Sequence, residues 1–240
     1  MGAVNAVSED EKKPVGSLEL TCPSDETLKQ FKLQRRIVAF FIGGAGDKES
    51  YYGFGPKNNV DYARTPFTTS VNLAEYAAGC TSFHLGYNQV IGEDNIKANV
   101  LGNLKCKSDA VYIVGHSLGG WNGAHLSSIL TDMGYSVKVL VTLDPVGNGA
   151  MVGAISNIYP ETPKPKAGLW INVFAAPDKT NFSDFIAGMG EQWRLEDGPN
   201  VNSKMDVNHE EADVMFTTVL ADEKSALAYV IQSINKYFRG

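Results

Sequence analysis

The feature that most constrains this chain is a glycine-flanked serine between an apolar run and a helix-like stretch. The run at 111–114 leads into Gly-His-Ser-Leu-Gly at 115–119, and residues 119–130 have a helical composition. A serine at such a sharp strand-to-helix turn has a strained backbone, so its neighbours must be small. The helix start also directs N–H groups and a positive dipole end toward the hydroxyl. The pattern predicts a nucleophile at Ser117; a glycine-rich turn that only binds an anion is the alternative.

Apolar runs alternate with helix-like stretches along the chain, as expected of strand–helix units. Strands are predicted at 36–42, 81–87, 110–114, 137–143, 169–174 and 201–205. Helices are predicted at 71–78, 94–104 and 118–133, and as one apolar-faced helix from 212 through 234. The fold class is therefore α/β with a mostly parallel central sheet and helices on both faces. Residues 1–16 are interpreted as a flexible leader and 17–240 as a single domain.

The segment 111–120, Val-Tyr-Ile-Val-Gly-His-Ser-Leu-Gly-Gly, resembles the nucleophile turn of the α/β-hydrolase superfamily, in particular of its lipase-like members. The order of elements agrees with that resemblance from about residue 36 to the C-terminus. The resemblance implies the α/β-hydrolase fold, a Ser-His-Asp triad that needs no cofactor or metal, and cleavage of carboxyl esters, such as lipid or phospholipid acyl esters. Thioesterase, peptidase or acyltransferase chemistry on the same triad, or a non-catalytic binding module, remain alternatives.

A serine nucleophile needs a base with a pKa near neutrality, and the chain has four histidines. His116 lies inside the turn and is expected to point away from the serine oxygen. His125 falls in the following helix, where packing or solvent contact is the default. His84 precedes the nucleophile. Only His209 lies downstream, in a polar loop before the final helix, which matches the Ser…Asp…His order of this fold. His209 is therefore the predicted base.

Two aspartates qualify as the triad acid, because each follows a predicted strand and the site should lie where the strands end. Asp144 follows the strand at 137–143 and precedes Pro145, which ends that strand. Asp178 follows the strand at 169–174, the acid position in most of the superfamily. Lipase-like relatives place the acid after the earlier strand, in a similar Leu-Asp-Pro context. Asp144 is therefore preferred and Asp178 is the alternative.

Acyl transfer also needs two N–H donors for the oxyanion, one after the nucleophile and one from an earlier loop. Leu118 supplies the first. The glycine-rich loop at 43–46 supplies the second, at Gly44 or Ala45, although it lacks the histidine found in many lipases. The glycine-rich loop is less consistent with a phosphate-binding loop, because no Gly-Lys-Ser/Thr pattern follows it. A glycine turn without chemistry remains open.

Three further features have two interpretations each. The segment 147–160 is either a mobile cap over an acyl pocket or a loop that packs on the core. The aromatic residues after the glycine loop either line that pocket or cover the sheet; they are Tyr51, Tyr52 and Phe54. A cluster of acidic residues around one histidine invites comparison with a metal site: Asp206, His209, Glu210 and Asp213. A metal site is not favoured there, because the cluster lacks the His-Glu-x-x-His pattern and a second histidine.

Composition narrows the partners and the location. A net charge of −6 argues against nucleic acid and provides no attraction to anionic lipid, although a lipid ester substrate would allow transient contact with a membrane surface. No apolar run approaches the length of a membrane span and the N-terminus is polar, so a cytoplasmic location, or export without a cleavable signal, is expected. Compact size and the Ser-Leu-Gly-Gly turn are similar to type VI secretion lipase effectors, and that resemblance implies an inhibitory immunity protein. The three cysteines, Cys22, Cys80 and Cys106, allow one bridge or three free thiols.

Overall fold

A sheet of six parallel strands organises the described part of the chain, which in this computed structural model comprises residues 35–51, 53 and 55–239. In chain order the strands are β1 Ile37–Gly43, β2 Cys80–Gly86, β3 Ala110–His116, β4 Ser136–Leu143, β5 Leu169–Ala175 and β6 Val201–Met205. They lie side by side in the order β2-β1-β3-β4-β5-β6, and every neighbouring pair is parallel. All six strands therefore end at one edge of the sheet, where the loops that follow them meet.

Helices cover both faces of this sheet. Within the described residues they are α1 Asn59–Asn72, α2 Glu93–Asn99, α3 Leu118–Asp132, α4 Ala150–Ile155, α5 Phe182–Met189, α6 Ala212–Thr217 and α7 Ala226–Arg239. Helices α1, α6 and α7 pack on one face around Phe41 and Tyr112, whereas α2 and α3 pack on the other around Phe40 and Ile113. Because both faces are covered, β1 and β3 are buried throughout, which explains their continuous apolar sequences. The predicted fold class is confirmed.

The prediction of a helix at 71–78 is wrong. Helix α1 ends at Asn72, and Leu73 beyond it is 85% exposed. The polar composition of α1 and the proline within it, Pro66, concealed a helix whose buried positions are nevertheless spaced helically at Val60, Ala63, Phe67 and Val71. Its hydroxyl side chains bond carbonyls four residues earlier in the same helix instead of interrupting it.

The C-terminal region is two helices, not the single one predicted. Between α6 and α7 the chain turns through an antiparallel bridge from Val219 to Ser225, and Glu223 adopts a positive φ of 71°. Val219, which lies between the two helices, is 63% exposed. The predicted helix at 94–104 is also divided: α2 ends at Asn99 and a 3₁₀ turn, Leu101–Asn103, follows it. In both places the apolar spacing continues across a break in the backbone, which periodicity alone does not detect.

Several sequence-based interpretations fall outside the described residues. The proposed leader at 1–16 and Cys22 are among them, as are Tyr52 and Phe54. Cys80 is a free thiol, and burial raises its pKa to about 11. Cys106 Sγ lies 2.7 Å from Ser108 Oγ. No helix in the described ranges has the length and apolar character needed to cross a membrane.

Candidate active site

Ser117 occupies the turn between β3 and α3 with a strained backbone. Its φ of 57° and ψ of −128° lie outside the regions that non-glycine residues ordinarily adopt. Glycine neighbours make this turn feasible, because a Cβ on Gly119 would lie 2.1 Å from the carbonyl oxygen of Ile42 and one on Gly115 would lie 2.4 Å from that of Gly119. The close approach of α3 to β1 therefore depends on the missing side chain at position 119. Strain of this kind persists where surrounding structure fixes it, often at functional sites.

His209 contacts both of its predicted partners. It lies in the loop between β6 and α6, with its Nε2 3.0 Å from Ser117 Oγ and its Nδ1 2.6 Å from Asp144 Oδ2. The carboxylate accepts a hydrogen bond from the Nδ1–H group, which leaves Nε2 able to accept the proton of the serine hydroxyl. All three residues are buried, and Asp144 has no exposed surface. The structure therefore brings the three residues into one hydrogen-bonded row.

Asp144 is held by several donors at the end of β4. Its Oδ1 accepts the Ala175 N–H at 3.1 Å, and Gln192 Nε2 lies 2.9 Å from each of the two carboxylate oxygens. The backbone of Asp144 has a φ of 42°, and its own N–H donates to Val173 O. These bonds fix the carboxylate toward His209. Gln192, beyond α5, has no motif that would identify it from sequence.

The alternative acid, Asp178, is not brought to the histidine. It is exposed, and its backbone N–H donates to Asp206 Oδ1 at 2.7 Å. The chain beyond β5 directs it to the surface, whereas the carboxylate that meets His209 comes from the loop after β4. The geometry therefore favours Asp144, and not Asp178, as the carboxylate partner of His209.

Two further side chains, neither of which was predicted in this role, hold the loop that carries His209. Asp184 of α5 accepts the His209 N–H at 2.8 Å through Oδ1, and its Oδ2 accepts an N–H from Asn208. His116 Nε2 donates to the His209 carbonyl at 2.7 Å, and the two rings lie 4.7 Å apart. His116 was expected only to point away from the serine, whereas its hydrogen bond holds the backbone of the predicted base, His209. Asn181 and Asp184 form a capping box that sequence could have indicated.

Buried polar groups also tie the glycine loop to this region. Asp47 follows that loop, and its Oδ2 accepts the Val60 N–H at the start of α1. Asp47 Oδ2 also lies 3.8 Å from His116 Nδ1. Asp47 Oδ1 lies 3.8 Å from His84 Nε2. Burial lowers the pKa of His84, while the nearby carboxylates of Asp47 and Asp61 oppose that shift. Two of the three histidines set aside as bases, His84 and His116, therefore lie beside the Asp47 carboxylate, and His116 also bonds the His209 carbonyl.

The three predicted oxyanion residues surround the nucleophile. Ala45 and Leu118 line one cavity together with Ser117 and His209. Within the described residues, neither the Ala45 nor the Leu118 N–H has a hydrogen-bond acceptor, so both can donate to a ligand. Gly44 packs directly on the nucleophile, because a Cβ there would lie 2.5 Å from Ser117 Cβ. Position 44 thus sets the approach of the loop, and Ala45, unlike Gly44, lines the cavity beside Ser117.

The cavity beside Ser117 has a volume of about 150 Å³ and largely apolar walls. Its lining includes Tyr51 and residues of α4 and α5, among them Val152, Ile155, Ile186 and Met189. The Tyr51 hydroxyl and Ser156 Oγ are 2.9 Å apart, which closes one side of the wall. In the segment 147–160, Val152 and Ile158 pack in the core, while Val152 and Ile155 also line the cavity. The interpretation of this segment as a mobile cap stays a prediction.

The acidic residues near His209 have other contacts. Glu210 accepts hydrogen bonds from Asn181 and Lys57, and Asp206 accepts one from Asp178. Within the described ranges, no group of three histidine, cysteine or acidic side chains could hold a metal ion.

Burial determines the acid–base character of His209. Desolvation lowers the pKa of this imidazole below its ordinary value of 6.5, and the neighbouring His116 adds to the decrease, while the hydrogen bond to Asp144 opposes it. A base must be neutral to accept a proton, so activity is lost only once the pH falls through this lowered pKa. For a soluble ester, kcat/KM should therefore rise with pH with a midpoint below 6.5. A pH–rate profile measures this directly, and a midpoint above 6.5 would contradict a pKa of His209 that is lowered by burial.

Comparison with known proteins supplies little beyond the geometry. No protein-family model and no curated protein matches the sequence. Among solved structures, the esterase domain of a Rhodothermus marinus protein is 10% identical over 77% of this chain and 84% of that chain, with a TM-score of 0.39. YbtT, a type II thioesterase of the yersiniabactin pathway, is 12% identical over 87% and 94%, with a TM-score of 0.41. Likenesses this weak carry no argument about activity. By its own topology, with a parallel sheet and a strained serine turn between β3 and α3, the chain has the α/β-hydrolase fold.

Proposed function

We propose that this protein is a serine hydrolase that cleaves carboxyl esters through an acyl-enzyme on Ser117. The observation that carries the proposal is the buried row from Ser117 Oγ through His209 to Asp144, with hydrogen bonds of 3.0 and 2.6 Å. A binding module would not require a strained serine aligned with a buried histidine–carboxylate pair. Such an arrangement is the one that activates a serine hydroxyl.

The reaction follows from the positions of these atoms. As Ser117 Oγ attacks the ester carbonyl, His209 Nε2 accepts the hydroxyl proton and the carbonyl π electrons move onto oxygen. Asp144 stabilises the imidazolium that forms. The intermediate collapses with cleavage of the bond to the alcohol oxygen, and His209 returns the proton to the departing alcohol. Water then attacks the acyl-enzyme with His209 again as base, which releases the carboxylic acid and restores Ser117.

The oxyanion is stabilised by two backbone donors in this proposal. The Leu118 N–H is at the start of α3, where the helix dipole also favours negative charge. The Ala45 N–H comes from the glycine loop after β1, which contributes to the lining of the same cavity. Gly44 keeps the loop close enough for this approach, since any side chain there would overlap Ser117. Stabilisation by fixed donors of this type typically contributes about 10²–10³-fold for each donor.

The acyl group is expected to occupy the apolar cavity. A cavity of about 150 Å³ is comparable to one that holds benzene, so it accommodates an acyl group of about four to six carbons. A longer chain would extend past Ile155 and Ile186, which line the cavity and are partly exposed. Lipid and phospholipid esters remain consistent with this layout. The narrower resemblance to type VI lipase effectors, and an immunity partner, stay predictions, because nothing in the described residues is specific to that group.

A substrate panel tests the proposal. Oxyesters, thioesters and amides with matched four-carbon, six-carbon and twelve-carbon acyl groups should be compared on wild type and Ser117→Ala. We expect the highest kcat/KM for short oxyesters, a burst of alcohol release, and activity lost by at least about 10³-fold in the variant. Preference for thioesters would favour the thioesterase alternative. No turnover in the panel by folded wild-type protein would favour a non-catalytic binding role.

A further inference from the structure

The predicted base is held through its backbone as well as through its ring. The His209 ring bonds Asp144 through Nδ1, and the His209 N–H donates to Asp184 Oδ1 at 2.8 Å. The His209 carbonyl accepts a hydrogen bond from His116 Nε2 at 2.7 Å. The position of His209 Nε2, the atom that faces Ser117 Oγ, therefore depends on these backbone contacts in addition to the triad carboxylate.

The imidazole of His116 is a buried polar group that bonds the base. His116 is 2% exposed, and within the described residues its Nδ1 has no hydrogen-bond partner. Because a carbonyl oxygen can only accept, His116 Nε2 carries a hydrogen. Burying a polar ring costs free energy unless hydrogen bonds compensate for it. The bond to the His209 carbonyl is therefore what distinguishes this imidazole from an apolar side chain of similar size.

The His209 carbonyl depends on that donor. His209 is 7% exposed, and in the part of the chain that the structure describes no backbone N–H donates to its oxygen. Removing the donor would leave a buried carbonyl unsatisfied, which costs more than the loss of a hydrogen bond alone. We expect the loop between β6 and α6 to shift until this oxygen reaches water, and the His209 ring would move with its backbone.

Chain connectivity makes the contact direct. His116 is the last residue of β3 and immediately precedes Ser117. The His209 carbonyl is bonded to His116, and His209 Nε2 lies 3.0 Å from Ser117 Oγ. These two bonds close a short ring through adjacent residues. The base can move away from the nucleophile only if one of the two bonds breaks or the strained serine turn moves.

Asp47 restricts the His116 ring at its other nitrogen. The Asp47 side chain is buried, and its Oδ2 accepts the Val60 N–H while it lies 3.8 Å from His116 Nδ1. The Asp47 backbone N–H donates to Gly44 O at 3.3 Å, which connects this carboxylate to the glycine loop. At 3.8 Å the contact with His116 is not a hydrogen bond. Asp47 therefore limits where the ring can lie, while the bond from Nε2 holds the base.

We propose that His116 is a positioning residue for the proposed reaction, because its bond to the His209 carbonyl keeps His209 Nε2 within hydrogen-bond distance of Ser117 Oγ. The effect on rate rests on the proposed hydrolase function, whereas the placement of His209 does not depend on turnover. His116 acts through His209 and makes no hydrogen bond to Ser117 Oγ. A small displacement of a base slows the chemical step. The loss should therefore appear in kcat and not in KM.

A matched pair of substitutions separates the hydrogen bond from the packing of the ring. His116→Gln keeps an N–H donor, whereas His116→Met has a similar length and shape without one. For a soluble short ester we expect kcat to fall at least about tenfold in His116→Met with KM nearly unchanged, and His116→Gln to recover most of the loss. His125→Met is the control and should keep the wild-type kcat. The His125 imidazole also bonds a backbone carbonyl, that of Glu161 at 2.8 Å, but does not line the cavity.

Nuclear magnetic resonance tests the positioning without turnover. With isotope-labelled histidines, the proton in the hydrogen bond between His209 Nδ1 and Asp144 gives a signal that His209→Ala lacks. Its exchange with water reports how firmly the base is held. We expect exchange at least about tenfold faster in His116→Met, with His116→Gln and His125→Met close to wild type. Thermal unfolding establishes that each variant is folded, and His116→Leu serves as the donor-free variant if His116→Met is unstable.

Three results would overturn the positioning role. The first is wild-type kcat and wild-type exchange in a folded donor-free variant. The second is an equal loss of kcat in His116→Gln and His116→Met, which would assign the effect to packing of the ring. The third is a change confined to KM. If the wild type turns over no ester in the substrate panel, yet the proton of His209 exchanges faster only in the donor-free variant, the hydrolase proposal fails and the positioning of His209 by His116 stands.

Discussion

Replacing Asp144 with asparagine is expected to lower kcat/KM for ester hydrolysis on the order of 10⁴-fold while the protein stays folded. The asparagine amide can donate toward His209 Nδ1, which moves the imidazole proton to Nε2 and removes the acceptor for the Ser117 proton. Asparagine retains an oxygen for the Ala175 and Gln192 donors, and it tolerates the positive φ of 42° at this position. Steady-state kinetics on a soluble short ester, with thermal unfolding as the fold check, measures the effect.

Asp178→Asn is the matched control, because it makes the same chemical change at the alternative acid. That side chain is exposed and does not contact His209, so near-wild-type kinetics are expected. The opposite outcome, with loss of activity in Asp178→Asn and little change in Asp144→Asn, would show that the carboxylate in the working enzyme is not the one that meets His209 in the structure.

Replacing Gly119 with alanine is expected to destabilise the fold by at least about 3 kcal/mol. The added Cβ would lie 2.1 Å from the Ile42 carbonyl oxygen and 2.6 Å from its carbon, and both belong to a central strand that is paired on both sides. Neither backbone can shift without breaking the sheet or moving Ser117. Thermal unfolding should show a midpoint roughly 6–12 °C lower for a chain of this size, or little folded protein.

Gly153→Ala is the control for this substitution. A Cβ at position 153 in α4 meets nothing within 4 Å, so alanine should be neutral or stabilise the helix by up to about 1 kcal/mol. A Gly119→Ala protein with wild-type stability and activity would show that the close packing of α3 on β1 is not required for the serine turn.

The sequence predicted those parts of the site that depend on local pattern. The serine turn has a signature of small residues between a strand and a helix, and chain order pointed to His209. Contacts between distant segments have no such signature. Gln192 reaches Asp144 across 48 residues of chain, and His116 reaches the His209 carbonyl across 93. Side chains of this kind become recognisable only when the sheet brings the loops together.

The errors in the fold have a common physical origin. Helix α1 was missed because proline and hydroxyl residues lower helix propensity, yet packing of its buried face on the sheet outweighs that preference. The single C-terminal helix was expected because apolar spacing continued across the turn before α7. Helix α5 carries both an apolar spacing and a capping box, but its apolar face points outward, away from the core that such patterns usually indicate.

Intact-mass analysis after treatment with a fluorophosphonate tests the central claim most directly, because this reagent phosphonylates activated serines. Wild type, Ser117→Ala and His209→Ala should be treated side by side and the modified peptide sequenced. We expect one adduct per chain on Ser117 in the wild type, none in Ser117→Ala, and strongly slowed labelling in His209→Ala. Folded wild-type protein that stays unmodified, or that carries its adduct on another residue, would contradict an activated nucleophile at Ser117.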